Sequence, residues 1–156
     1  MNRDLEKLRS IADYQFGYGA GSALFPDDIN VVYSRNTKRP RHIWIGKTLL
    51  ANYRPNDAMF TITIAGAERI VAQKPDFDQY VVVIDEVLEF IEDGKNLFAR
   101  HVKEVGEGVK PGQEVIILDT KGDVAAVGKS ILSKNEMTAF KTGQAVKVRR
   151  GRKKHS

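Results

Sequence analysis

The chain of 156 residues contains no cysteine, and its three histidines, His42, His101 and His155, are scattered. Disulfides, a thiolate nucleophile and a thiolate zinc site are excluded together, and a metal site built from side chains is not expected. No apolar run approaches the roughly 20 residues needed to cross a bilayer. The N-terminus, Asn2-Arg3-Asp4 followed by an amphipathic pattern, lacks the apolar stretch of a secretory signal, so the expected location is the cytoplasm. Internal repeats and coiled-coil heptads are missing too. Acids are absent from two stretches: residues 29–56 hold six Lys/Arg and no acid, and residues 137–156 hold seven and no acid. Net charge is +5, so without those thirteen cations the remainder carries −8. Such segregation points to a polyanion partner, because solubility alone does not require it. The alternative is a solvated basic face with a disordered tail.

What is present suffices for a core, in one ordinary domain or two small ones. Leu5, Leu8, Ile11, Ala12 and Phe16 recur at helical spacing, predicting an amphipathic helix over residues 3–16 that stops at Gly17. Gly17-Tyr18-Gly19-Ala20-Gly21 follows a helix rather than a strand and lacks the lysine-serine ending of a phosphate loop. It reads as a helix cap and a turn into a second short helix, Ala20 to Leu24. Val31 to Ser34, His42 to Ile45, Leu49 to Tyr53 and Met59 to Ile64 read as short strands, and Gly66 to Ala72 as a closing helix. Lys74-Pro75-Asp76 is the expected junction, since proline disfavours helix at the residue before it.

Beyond the junction come a strand pattern at Tyr80 to Ile84, a helical pattern from Glu86 that stops at Gly94, and a second strand pattern, Leu97 to Val102. Val115 to Leu118, turned by Lys121-Gly122-Asp123, is answered by Val124 to Ile131. A short helix ending at Gly143 then precedes Ala145 to Arg150. Continuous apolar runs such as Val115 to Leu118 suit strands inside a small closed barrel. Gly128 should mark a bulge or a close backbone approach. The fold class expected is α+β: a small N-terminal α+β domain over residues 1–75, a mixed β-barrel over 76–151, and a basic disordered tail over 152–156.

Catalytic constellations are weak. Asp27-Asp28, Asp85-Glu86 and Glu92-Asp93 are neighbouring acids whose side chains point apart, and Ser22 lacks a nucleophile-elbow context. Binding features are stronger. Val87, Leu88 and Ile91 share one side of their helix, and Phe90 lies roughly 105° from their centre. It either sits at the rim as a stacking surface or packs under the linker. Gly94 should take a left-handed cap conformation, leaving the amides of Lys95 and Asn96 on an exposed loop that either presents donors to phosphate or a base edge or is a plain turn. Lys147, Arg149 and Arg150 end the last strand, with Arg152, Lys153 and Lys154 continuing the positive path. Arg35, Lys38, Arg39 and Arg41 surround a strand turn and read as phosphate contacts, whereas Trp44 reads as core.

The order of elements from Val81 to Arg150 resembles the PUA domain, an RNA-binding module. Ile11 to Gly17, Gly19-Ala20-Gly21, Ala23 to Pro26, Leu49-Leu50-Ala51, Arg54-Pro55 with Asp57, and Gly66-Ala67 resemble the domain that precedes PUA in archaeosine tRNA-guanine transglycosylase. With Gly94 to Ala99 and Gly143 to Gly151 added, the similarity covers nearly the whole chain. The resemblance implies that Phe90 lies against the terminal base pair of a tRNA acceptor stem and that the loop Gly94-Lys95-Asn96 and the final strand hold the tRNA 3′ end. Base exchange in that family belongs to a TIM barrel with catalytic aspartates and a cysteine-containing zinc site, and such barrels take about 250 residues. This chain has neither the length nor the cysteines. No enzymatic activity of its own and no cofactor are expected, and the partners implied are tRNA and a separate catalytic transglycosylase subunit. An enzyme with an undetected N-terminal site and a protein-interaction adaptor are the alternatives.

Overall fold

The computed structural model describes residues 3–140 and 142–153, in two compact units divided between Phe77 and Asp78. The first begins with α1 (Arg3–Phe16), whose Leu5, Leu8, Ala12 and Phe16 are buried, as their spacing of three and four residues requires. After α2 (Ala20–Leu24), the strands β1 (Asn30–Tyr33), β2 (Pro40–Ile45), β3 (Thr48–Arg54) and β4 (Met59–Ile62) form an antiparallel meander in sequence order. α3 (Ile64–Gln73) follows, capped by Thr63, whose hydroxyl accepts from the Gly66 amide at 3.0 Å. Ile43, Ala51 and Ile62 face one another across three strands and are buried, with α1 against β4 and α3 against β3. His42 and Asn52, paired in the neighbouring row, sit 2.6 Å apart from Nδ1 to Oδ1. At the outer strand β4, Gln15 donates from Nε2 to the Phe60 carbonyl at 2.8 Å and accepts the Phe60 amide at 2.7 Å. Both backbone groups of Phe60 are thereby satisfied by one side chain.

The second unit runs β5 (Tyr80–Val83), a 3₁₀ turn (Asp85–Val87), α4 (Leu88–Glu92), β6 (Leu97–Phe98), a second 3₁₀ turn (Ala99–His101), β7 (Val102–Val105), β8 (Glu114–Leu118), β9 (Val124–Ser130), α5 (Lys134–Ala139) and β10 (Gln144–Gly151). The sheet order is β6-β10-β9-β8-β5-β7, with β5 and β8 parallel and every other pair antiparallel. The two end strands, β6 and β7, are consecutive in sequence and joined by one tight turn, so the sheet curls into a nearly closed mixed barrel. Val81, Val83, Ile91, Leu97, Val115, Ile117 and Val146 fill it.

The strand expected over Leu97 to Val102 is broken. Leu97 and Ala99 are buried while Phe98 and Arg100 are exposed, so the alternation holds. The Ala99 amide, however, donates to the Gly143 carbonyl, and the His101 carbonyl accepts from Ile84. The chain thus leaves β10 after two paired residues and swings across to β5. Gly128 marks both the irregularity and the close approach expected of it: a Cβ there would stand 2.3 Å from the Lys147 carbonyl oxygen, opposite a register shift in β10 between Val148 and Arg150. The neighbouring strand explains this glycine through barrel curvature.

The tail assigned to disorder from residue 152 needs correction. Arg152 reaches Glu92 at 2.5 Å and Asp119 at 3.0 Å, and Lys153 binds Glu92 with both its ammonium and its amide, each at 3.1 Å. The acids responsible lie far away in sequence. Burial pushes both carboxyls up. For Glu92, hydrogen bonds from Arg152 and Lys153 outweigh it, and for Asp119 those from the Asp123 amide and Arg152 do so, holding both below the usual carboxylate range. Lys154, His155 and Ser156 lie outside the described residues.

Candidate nucleic-acid interface

Phe90 is 57 % exposed on α4, while Ile91 beneath it is buried and Val87 and Leu88 pack against the barrel core. The helical spacing therefore separates rim from core as expected. α4 ends in a Schellman motif: Gly94, at φ +96°, donates to the Ile91 carbonyl at 3.0 Å, and the Lys95 amide donates to the Phe90 carbonyl at 3.0 Å. The Lys95 amide is thus committed to the helix end, and only its exposed ammonium faces outward. Asn96 also has a structural task, its Oδ1 accepting from the Val148 amide at 2.9 Å. That bond fastens the loop to β10 and sets Lys95 and Phe90 beside the last strand.

On β10, Lys147 is exposed and stands directly opposite Lys129 of β9. Among the described residues, neither lysine has an acidic partner. Like charges in directly opposed positions repel, and Glu114 of β8 stands opposite Lys129 on its other side, so the row runs acid, lysine, lysine with Lys147 at its outer end. Lys129 escaped the sequence reading because only the strand register, with its bulge at Arg149, pairs it with Lys147. Arg149, grouped with Lys147 in that reading, is diverted: both arms of its guanidinium engage the carboxylate of Glu114, whose side chain is 6 % exposed. Arg150 is half-buried. The exposed groups on this side are Phe90, Lys95, Lys129 and Lys147, while Gly94, Asn96 and Arg149 are held in structural contacts.

In the first unit, the β1–β2 hairpin is closed by the Ser34 amide on the Arg39 carbonyl and the Lys38 amide on the Ser34 carbonyl. Arg35, Lys38, Arg39 and Arg41 are exposed around it. Trp44, read as core, is half-buried. No group of three or more His, Asp or Glu among the described residues is arranged to hold a metal, and no described helix is long and apolar enough to cross a membrane.

Residues 6–76 match the patch-forming domain C2 of tRNA-guanine transglycosylase, and residues 79–152 match the PUA domain. The chain is a C2 patch-forming domain followed by a PUA domain. A tRNA-guanine(15) transglycosylase of Methanobrevibacter smithii is 41% identical over 151 residues, covering 97% of this chain and 23% of the relative. This chain thus spans about a quarter of the length of such relatives and corresponds to their C-terminal region. A hypothetical protein of Pyrococcus horikoshii shares the fold with a TM-score of 0.76 at 18% identity, over 97% of this chain and 92% of that one. A conserved PUA domain protein of Thermoplasma acidophilum does so with a TM-score of 0.69 at 15% identity, over 97% and 91%. The barrel thus exposes an aromatic ring on α4 and lysines on β9 and β10, side chains of the kinds that can stack on a base and bind phosphate.

Proposed function

We propose that this protein is a non-catalytic RNA-binding module that holds the acceptor stem and 3′ end of a tRNA, alone or as the recognition subunit of a separate catalytic tRNA-guanine transglycosylase in the cytoplasm. The observation that carries the reading is Phe90, exposed on a capped helix whose following loop, bearing Lys95, is fastened through Asn96 to Val148, the residue after Lys147 on β10. In this mechanism the ring covers the terminal base pair, which needs no hydrogen-bond code because every pair presents a π face. The lysines take the adjoining phosphates and Arg150 adds a further backbone contact, while Arg39 and Arg41 on the hairpin of the first unit form a separate basic patch for RNA backbone. Phosphate contacts fix register without reading sequence, so discrimination rests on the shape of the stem end.

Fluorescence anisotropy with a labelled acceptor-stem hairpin tests this. Binding should weaken steeply with salt, since four to six phosphate contacts give a slope of log affinity against log salt of roughly −3 to −5. No binding at low salt, or binding insensitive to salt, refutes it. Purified protein should exchange no guanine in tRNA, even with zinc added. Exchange by this chain alone overturns the non-catalytic assignment, and exchange only after adding a larger catalytic chain supports the subunit version.

A further inference from the structure

A groove of about 270 Å³ lies between β7 and α5, lined among others by Arg100, Lys103, Val105, Met137 and Phe140. It is separate from the Phe90 face: none of its lining residues lies on α4, β9 or β10. Its floor is apolar, with Val105 and Met137 buried. Its walls are not. Phe140 is 48 % exposed, and the exposed Arg100 has its guanidinium over the Phe98 ring, 5.9 Å from the centroid, with Nε donating to His101 Nε2 at 3.3 Å. Neither Arg100 nor Lys103 has a carboxylate partner among the described residues. The one acid in the lining, Glu104, accepts a hydrogen bond from the Tyr80 hydroxyl at 2.7 Å.

An apolar floor, two flat walls and two uncompensated cations describe the counterpart of one nucleotide. The base is a flat apolar plate that stacks on aromatic rings or on a guanidinium plane, and the phosphate is the anion. Ligand pockets run about 300–1,000 Å³, so this groove admits a single base and excludes a duplex. We propose that it captures one unpaired nucleotide of a bound RNA, with the base between Phe140 and Arg100 and the phosphate on Lys103. This rests on the RNA-binding reading above and adds a second, base-stacking site to it.

The test compares a blunt hairpin with the same hairpin carrying a single-stranded 3′ extension. Wild-type protein should bind the extended RNA about tenfold more tightly, within the range of one base stacked on a side chain. Phe140→Ala should remove that advantage and leave blunt-hairpin affinity within twofold, and Phe140→Tyr should restore it. 2-Aminopurine placed at successive extension positions should change its fluorescence on binding wild type at one position and not on binding Phe140→Ala. Equal loss of both hairpins in Phe140→Ala overturns the groove assignment alone, and equal wild-type affinity for the two overturns the groove and the 3′-end part of the reading above while stem binding stands. Failure of wild type to bind either hairpin overturns both.

Discussion

Lys147 and Arg149 sit two residues apart on one strand and carry the same charge, yet only Arg149 is tied to a buried acid among the described residues. Lys147 opposes Lys129, and like charges directly opposite one another on neighbouring strands are mildly destabilising. Lys147→Ala should therefore leave stability unchanged or raise it slightly. If its ammonium neutralises one phosphate, the variant should flatten the slope of log affinity against log salt by about 0.7 to 0.9. Between 50 and 200 mM salt that is a factor of about three in the ratio of wild-type to variant affinity. Arg149→Ala instead removes the two-armed guanidinium contact from the Glu114 carboxylate, whose side chain is 6 % exposed. Removing one partner of a buried pair costs about 3 to 5 kcal/mol, and with Arg149 itself 37 % exposed a value of about 2 kcal/mol is expected, with little change in salt slope. Urea denaturation and anisotropy titrations at four salt concentrations read both quantities on the same variants. If Arg149→Ala flattens the slope as much as Lys147→Ala does and leaves the denaturation midpoint in place, the Glu114 pair opens on RNA and the division of roles is wrong.

Phe90→Ala should lower affinity for a hairpin with an exposed stem end by about 1 to 3 kcal/mol without altering the salt slope; a fall in thermal midpoint with intact affinity would make Phe90 a packing residue. Gln15→Leu should destabilise the first unit by about 1 to 3 kcal/mol, because the amide and carbonyl of Phe60 lose their partners together, and a midpoint unchanged in thermal denaturation contradicts this. The carboxyls of Glu92 and Asp119, held low by Arg152 among other partners, bind protons less readily folded than unfolded. The stability they supply is whole above about pH 5 and drains away below about pH 4 as pH falls through their folded values. Arg152→Ala should lose roughly 3 kcal/mol near neutral pH and move the acid unfolding midpoint upward; an unmoved midpoint in acid titration by circular dichroism rules the triad out.

Much of the architecture is readable in the chain because local chemistry and final packing agree. The stripe from Leu5 to Phe16 makes a helix both by period and by burial, and the positive φ of Gly94 follows from a helical pattern running into a glycine. Disagreement begins where a residue's role is set by one distant in sequence. Phe98 and Arg100 alternate like a strand, yet the Gly143 carbonyl decides that the chain bends at Ala99. Arg152 reads as one more cation in a basic tail until Glu92 and Asp119, 60 and 33 residues earlier, are brought beneath it. Lys129 gains its meaning only from strand register. Charge counting thus located the basic regions, but separating cations available to phosphate from those tied to buried acids required the fold.

The bond between Gln15 and Phe60 has a further consequence for how this protein behaves in a crowded solution. An outer strand with a vacant amide and carbonyl is a template for a strand from another chain, and that is how sheets grow into aggregates. A primary amide is a side chain that reproduces both halves of a peptide group, donor and acceptor, in the geometry a neighbouring strand would use. By holding Gln15 against β4, the first helix occupies that position in advance at Phe60, so no second chain can pair there without first displacing it. One glutamine thereby works as a guard against self-association.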